Sequence, residues 1–322
     1  MPFLRRLAFA SLVLLAVTFV TYGVPRILRA DRYPGENFFT GVTGDVNRAL
    51  LHFEFGNSII LPGSPPVHDL WARGLIWDLW LLTGGLVVGA VGGIAAGIWC
   101  ARRPGSLRSR LVEWAAMAAF CSPIFFTGLF ILFLFNSTYG RVPLPWFFDA
   151  EPNWAQPWTN PWDWFRALLV PWLVLAAPLG AMCLRLTLSV TREAMDEDFV
   201  RTAEAKGIAP NAVLRRHAAP LSFPGTLSFV GVSAPLLITN MVLIERVFSV
   251  PGFFRYTWRA AGHANFGVEP VPDFALLCAL GLWGAVLLIV VGLVADAIVS
   301  VIDPTARGRE LEIKAVEHPS NG

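Results

Sequence analysis

Long apolar runs alternate with shorter polar segments along most of this chain. Six of the runs are long enough to cross about 30 Å of hydrocarbon, a distance that takes roughly 20 helical residues. They lie near residues 7–26, 76–99, 112–135, 166–190, 225–247 and 273–301. The pattern predicts an all-α integral membrane protein with six transmembrane helices.

The first apolar run follows Arg5 and Arg6, an arrangement found both in signal peptides and in membrane anchors. Its length, and the lack of a small-x-small cleavage site before Arg26, favour an uncleaved transmembrane helix over residues 1–28. We then expect an extracytoplasmic lobe at 29–75, a five-helix core at 76–303 and a cytoplasmic tail at 304–322.

Arginines in the short polar segments predict the orientation, because loops rich in Lys and Arg stay on the cytoplasmic side. Arg5 and Arg6 precede the first run, and Arg102, Arg103, Arg108 and Arg110 lie between the second and third runs. These segments are expected to be cytoplasmic. An even number of spans places both termini, and the segment 191–224 between the fourth and fifth runs, on the same side.

Composition supports a location in a lipid bilayer. The mean hydropathy is +0.56 and only 15% of residues are charged, whereas a soluble domain of this size needs more charge on its surface. A net charge of +2, with no long basic run, argues against nucleic acid as a partner. The four cysteines are dispersed and lack a C-x-x-C or a His at metal spacing, so no metal site is expected.

One segment, "RTAEAKGIAPNAVLRRHAAP" at residues 201–220, is densely charged. Between residues 192 and 206 the less polar positions recur at helical spacing, and Glu197 and Arg201 form an i,i+4 pair, which predicts an amphipathic helix. Gly207 is expected to end it, Pro210 to begin a second short helix, and Pro220 to close that helix. A plain connection needs about two to eight residues. We therefore expect this segment to bind a partner.

The sequence "DFVRTAEAKGIAPNAVLRRHAAP" resembles the EAA motif, a cytoplasmic loop of the membrane subunits of ATP-binding-cassette (ABC) importers, in the version found in the dipeptide and oligopeptide permease branch. In that family a Gly is followed thirteen residues later by a Pro, the spacing of Gly207 and Pro220. Three other segments resemble the branch in order: "FEFGNSI" at 53–59, "VLIERVFSVPGFFRY" at 242–256 and "LVADAIVSVIDPTAR" at 293–307. Arg201 departs from the Glu of the general motif, and Phe254 from the usual Gly of the branch.

The resemblance implies a type I ABC importer (MetI-like) permease fold in a bacterial cell membrane. It implies a translocation subunit that is not itself an enzyme and binds no cofactor, with ATP and Mg held by two cytoplasmic ATPase subunits. The other partners implied are a second homologous permease, an extracytoplasmic solute-binding protein and membrane lipid. The expected cargo is di- or oligopeptides or related solutes, moved by alternating access.

The resemblance also assigns a candidate coupling site. The short helix after Gly207 is expected to insert into a groove of an ATPase, with Ile208, Val213 and Leu214 as apolar anchors and Lys206, Arg215 and Arg216 at the rim. The full set of candidate coupling residues is Arg201, Ala203, Ala205, Lys206, Gly207, Ile208, Val213, Leu214, Arg215, Arg216, His217 and Pro220.

Polar residues in the fifth run form a second, weaker set of candidates. Glu245 and Arg246 are interpreted either as an interfacial pair that fixes the following turn or as part of a gate. Asn240 either lines the pathway or bonds to a neighbouring helix.

Missing motifs limit the alternatives. No G-x-x-x-x-G-K-[ST] loop is present, and the glycine pairs at 84–85 and 92–93 lie inside an apolar run, where close helix packing explains them. An ion-coupled secondary transporter remains the main alternative, although no inverted repeat is visible and few acidic residues lie inside the spans. An intramembrane enzyme would need a constellation such as H-E-x-x-H or G-x-S-x-G, and the sequence has neither.

Overall fold

The computed structural model describes residues 2–28, 37–135, 152–262 and 272–302, and these parts of the chain are helical apart from turns and one isolated β-bridge between Asn57 and Pro66. The predicted tail at 304–322 and the start of the predicted lobe, 29–36, lie outside the described residues. The all-α fold class is confirmed.

Eleven α-helices follow one another along the described ranges. They are α1 (Pro2–Leu28), α2 (Phe38–Leu51), α3 (Val67–Ala101), α4 (Leu107–Cys121), α5 (Ile124–Phe135), α6 (Pro161–Met195), α7 (Asp198–Ala205), α8 (Pro210–Val213), α9 (Phe223–Val247), α10 (Thr257–Ala260) and α11 (Phe274–Ile302). A π-helical turn at Leu214–Ala218 and a 3-10 turn at Ala219–Ser222 join α8 to α9, and a second 3-10 turn, Phe254–Tyr256, precedes α10.

Five helical stretches in the described ranges are long and apolar enough to cross a membrane: Ser11–Leu28 in α1, α3, α6, Pro210–Val247 and Phe274–Ala295 in α11. The span predicted at 112–135 is broken into two helices, since α4 and α5 meet there at a bend of 109°. Pro123 causes the break. It has no N–H to donate, and it forces Ser122 into an extended conformation with φ −80° and ψ 129°. With the bent pair counted as one span, the structure has the six predicted spans.

The contacts divide the chain into two compact units. The first contains residues 1–82 and 238–290. In it α1 packs on α2 through the rings of Phe19, Phe38 and Phe39, and the Nε of Arg26 donates to Asp45 over 2.7 Å. The segment after α2 is fixed to the start of α11, because Ser58 Oγ donates to the carboxylate of Asp273 over 2.6 Å.

The second unit contains residues 83–237 and 291–322, and α6 supplies much of its core. Glycines of α3 lie directly against α6. A Cβ on Gly93 would collide with the carbonyl oxygen of Gly180, and a Cβ on Gly97 would lie 2.8 Å from the carbonyl oxygen of Leu184. Gly84 and Gly85 lie against side chains of α6, those of Trp172 and Leu175, which confirms the prediction of close helix packing, whereas Gly92 has nothing within 4 Å among the described residues. The helix α4 joins α6 through an ion pair, Glu113 to Arg192, at 2.9 Å.

Candidate functional site

The charged segment predicted to bind a partner forms a bent connection between α6 and α9, and we call residues 196–222 the elbow segment. The prediction of a single helix over 192–206 is wrong: α6 continues to Met195, and α7 begins at Asp198. The reason is the backbone of Glu197, which is extended (φ −75°, ψ 155°) and occupies the position before the first turn of α7. Arg201 consequently pairs with Asp198, at 3.6 Å, instead of Glu197.

Gly207 ends α7, as predicted. Its φ of +83° lies in the left-handed region, where side chains with a Cβ are strained. The N–H of Gly207 donates to the carbonyl of Glu204 (2.8 Å), and the N–H of Ile208 donates to that of Ala203 (3.2 Å). This pair of bonds is the Schellman motif, which satisfies the last carbonyls of the helix and turns the chain sharply.

Pro210 begins the next helix, as predicted, but Pro220 does not end it. From Pro210 to Val247 the chain is one helical rod of 38 residues. Pro220 has no N–H, so a regular α-helix would lack one backbone hydrogen bond here. The wider turn at Leu214–Ala218 and the tighter turn at Ala219–Ser222 change the hydrogen-bond pattern around the proline, and the rod continues. The elbow segment is therefore continuous with the fifth apolar span.

Burial separates the candidate coupling residues into two groups. Val213 is fully buried and Leu214 is 4% exposed, packed in a cluster with Cys100, Leu184 and Leu188. Such placement does not fit the predicted role of Val213 and Leu214 as anchors in a partner, because both are already buried within this chain, Leu214 against α3 and α6. The exposed candidates are Arg201, Ala205, Lys206, Gly207, Ile208, Arg215, Arg216 and His217, while Ala203 and Pro220 are half-buried.

Basic side chains from the α3–α4 connection lie beside the elbow segment. Burial, and then the nearby guanidinium of Arg215, lower the pKa of Arg102. Arg103 is exposed and its guanidinium lies 5.2 Å from the ring centre of Trp99. The exposed face around the elbow segment therefore carries more positive charge than the sequence segment alone indicates.

The second candidate set lies at the end of α9, in the other unit. Glu245 is fully buried, and its Oε2 accepts a hydrogen bond from the backbone N–H of Arg255 at 2.8 Å. Arg246 is exposed and forms no ion pair with Glu245, so Glu245 holds the following turn without it. Asn240 is half-buried, with no hydrogen-bond partner among the residues that the structure describes.

Asp78 is a functional candidate that the sequence reasoning missed. It is fully buried, lies beside the carboxyl of Glu245 at Gly252, and accepts hydrogen bonds from the backbone N–H of Phe253 (2.8 Å) and the indole Nε1 of Trp283 (2.6 Å). We call Asp78 and Glu245 the acidic pair. The available signal was a lone Asp inside the apolar run "LIWDLWLL", since an ionisable residue there must find partners.

The acidic pair fixes the turn that follows α9. Together its two members accept the backbone N–H groups of Phe253 and Arg255. Gly252 lies so close to both carboxyls that any side chain at this position would collide with them.

The long apolar helices, together with the exposed charged elbow and the buried acidic pair, define a polytopic membrane protein. The chain belongs to the family of binding-protein-dependent transport system inner membrane components, whose model matches residues 93–308. That range includes the whole elbow segment. The resemblance drawn from the sequence motifs is thereby confirmed, and the protein is a permease component of such a transport system.

Several curated relatives are similar over most of the chain. A probable peptide ABC transporter permease protein, y4tP of Sinorhizobium fredii, is 26% identical over 80% of this chain and 77% of its own length. The dipeptide transport system permease protein DppB of Lactococcus lactis is 28% identical over 79% of this chain and 76% of its own. The di/tripeptide transport system permease protein DppB of Pseudomonas aeruginosa is 30% identical over 67% and 66%.

Proposed function

We propose that this chain is a membrane-spanning subunit of an ATP-driven importer and that it translocates di- or oligopeptides by alternating access. The observation that carries the mechanism is the elbow segment: an exposed, hydrogen-bonded bend that is continuous with a 38-residue helical rod. The relatives named as peptide, dipeptide and di/tripeptide permeases support the choice of cargo.

The elbow segment is the docking site for a cytoplasmic ATPase. Its tip presents Ile208 as an exposed apolar contact, with Lys206 before it and Arg215 and Arg216 beyond the buried Val213 and Leu214. A short helix with an apolar contact and a charged rim suits binding in a groove. The corrected anchor is therefore Ile208, while Val213 and Leu214 fasten the elbow to the core of its own unit.

Movement passes from the ATPase to the span through this connection. Closure of two ATPase subunits around ATP and Mg displaces the elbow, and the rod Pro210–Val247 follows as a rigid body. Reversal of a conformational equilibrium from 1:99 to 99:1 takes about 5.5 kcal/mol of differential binding, which nucleotide binding to the partners supplies. This chain itself binds no cofactor.

The rest of the assembly follows from the same proposal. A second, homologous permease completes the pathway, and an extracytoplasmic binding protein delivers the peptide. The elbow and both termini lie on the cytoplasmic side, in agreement with the arginines at 102, 103, 108 and 110 and the lysine at 206.

The proposal is tested by reconstitution into proteoliposomes with the ATPases, the second permease and the binding protein. Uptake of a labelled tripeptide is expected to require ATP on the ATPase side and to cease with a non-hydrolysable nucleotide. Uptake that is driven by a proton gradient and persists after removal of both ATPases would overturn the proposal and indicate an ion-coupled transporter.

A further inference from the structure

A cleft of about 430 Å³ opens in the first unit, where α9 ends and the turn fixed by the acidic pair begins. Three arginines line it: Arg246, Arg255 and Arg259. Ser249 and Tyr256 contribute polar groups, and apolar residues from the turn before α3 and from its first turn complete the wall. Its volume falls in the range of about 300–1,000 Å³ that is usual for sites of small ligands.

The positive charge of this cleft is poorly compensated. Arg246 and Arg259 are both exposed, and neither has an ion-pair partner among the described residues. The one acidic residue in the lining, Glu245, is fully buried, and its Oε2 accepts the backbone N–H of Arg255. It offsets at most one of three guanidinium charges, so the cleft attracts an anion.

The third arginine is held in place before any ligand arrives. The guanidinium of Arg255 donates to the hydroxyl of Tyr256 over 2.8 Å and lies 4.8 Å from the centre of that ring. Its backbone N–H is bound by Glu245, so the acidic pair orders the segment that carries it. A preorganised site loses less conformational entropy on binding than a flexible one.

The backbone at the cleft is also strained. Ser249, which lines it, has a φ of +56°, a conformation that is costly for a residue with a Cβ. Strain of this kind persists where the surrounding structure imposes it, and it concentrates at ligand sites.

We propose that this cleft binds the terminal carboxylate of the translocated peptide. Guanidinium groups suit carboxylates because they donate two parallel hydrogen bonds to the two oxygens. Every short peptide carries such a group at neutral pH, whatever its side chains. This inference rests on the function proposed above, and it assigns to the permease a direct role in recognising the cargo.

The test compares trialanine with trialanine amide in the reconstituted transporter. Each peptide is supplied in excess, so that the binding protein, whose affinity for each is measured beforehand, stays fully loaded, and the KM is determined by varying the concentration of loaded binding protein. The double variant Arg246→Gln and Arg259→Gln is compared with the wild type, and Arg108→Gln with Arg110→Gln serves as the matched control, since these two arginines are also exposed and lie in α4, outside the cleft. The same binding protein serves all three, so any change belongs to the permease.

The wild type is expected to transport trialanine with a KM about tenfold below that of the amide, the effect of one charge-assisted contact. The cleft variant is expected to raise the KM for trialanine to that of the amide and to leave the amide unchanged. Replacement of both arginines by Lys should restore part of the preference, because it keeps the charge but not the paired hydrogen bonds. The control variant should behave as the wild type.

Other results would overturn the inference in recognisable ways. If the cleft variant loses uptake equally for both peptides, and only in vesicles that contain phosphatidylglycerol, the cleft would be assigned to a lipid phosphate. If the cleft variant loses uptake equally for both peptides and additional binding protein restores it, the cleft would be assigned to an acidic group of the binding protein. If the cleft variant keeps both ATP-driven uptake and the preference for trialanine over its amide, only the role of the cleft would be refuted. Absence of ATP-driven uptake in the wild type would refute the proposed function itself.

Discussion

Gly207 and Gly93 illustrate two different physical reasons for a glycine. At Gly207 the space around the residue is open, and the requirement is the backbone itself, with φ at +83°. At Gly93 the requirement is space, because the carbonyl of Gly180 in α6 occupies the position where a Cβ would lie. The first glycine shapes the elbow segment, and the second allows two helices to touch.

Replacement of Gly207 by Ala is expected to destabilise the elbow by roughly 1–2 kcal/mol, the penalty of a left-handed conformation for a residue with a Cβ. Replacement by Asn is the matched control, since Asn tolerates this conformation better. Thermal unfolding in detergent and ATP-driven uptake should both fall for Gly207→Ala and fall less for Gly207→Asn. Equal losses would show that the residue acts through contact with a partner instead of through its own φ.

Leu214 and Ile208 should give opposite phenotypes, although both are apolar members of the elbow segment. Leu214→Asp places an unpaired charge in a closed core and is expected to lower the free energy of unfolding by roughly 3–5 kcal/mol, with loss of folded protein. Ile208→Asp changes an exposed residue and should leave thermal stability intact while it reduces ATP-driven uptake about tenfold. Normal uptake by a well-folded Ile208→Asp variant would contradict the assigned anchor.

At the scale of helices, the contact of α3 with α6 depends on its glycines. Lipid tails give helices little hydrophobic reason to associate, so close backbone approach and the resulting dispersion contacts have to hold them together. Gly93 and Gly97 both lie against backbone oxygens of α6, and Gly85 and Gly89 lie against its leucine side chains. The neighbouring Gly92 is exposed and contacts nothing within 4 Å in the described structure.

Adjacent glycines therefore provide a matched pair of variants. Gly93→Ala is expected to lower the free energy of unfolding by about 1–3 kcal/mol, since the helices must separate to admit the methyl group. Gly92→Ala should be neutral or raise stability by up to about 1 kcal/mol, because Ala is the better helix former. Thermal unfolding of both variants in the same detergent measures the difference, and equal effects would show that this helix contact does not limit stability.

Much of this fold was predictable because it depends on local properties of the chain. Twenty consecutive apolar residues predict a span wherever they occur, and Gly207 predicts a helix end from its own conformational freedom. The break at Pro123 was not predicted, since a proline inside an apolar run is compatible with a continuous transmembrane helix when its neighbours satisfy the freed backbone groups. At Pro220, in contrast to Pro123, the helix does continue through the proline.

The site was less predictable because its groups come from distant parts of the sequence. The spacing of apolar residues predicts that a helix has a polar and an apolar side. Whether the apolar side faces the core of the same chain or a partner depends on the helices that surround it. Leu214 is covered by residues of α3 and α6, and Asp78 meets Trp283 of α11 across 205 positions of sequence. Periodicity in one segment contains no information about such contacts.

At the scale of the whole molecule, an exposed elbow is joined to a long helical rod. The rod Pro210–Val247 begins in the exposed segment proposed to receive the ATPase and ends at Glu245, which orders the segment bearing the arginine cleft. A continuous helix that starts at the proposed motor contact is what coupled transport requires. The buried Val213 and Leu214 make the elbow part of this rod instead of a loose loop.

The most direct measurement of the central claim is photo-crosslinking from the tip of the elbow. A photoreactive amino acid at position 208 in the assembled transporter is expected to crosslink to an ATPase subunit, with a yield that changes when ATP binds. The same amino acid in place of Val232, which is 78% exposed on α9, should give no ATPase crosslink. Crosslinking at 208 that does not exceed the yield at 232, in a complex that transports peptide, would contradict the claim that the elbow receives the motor.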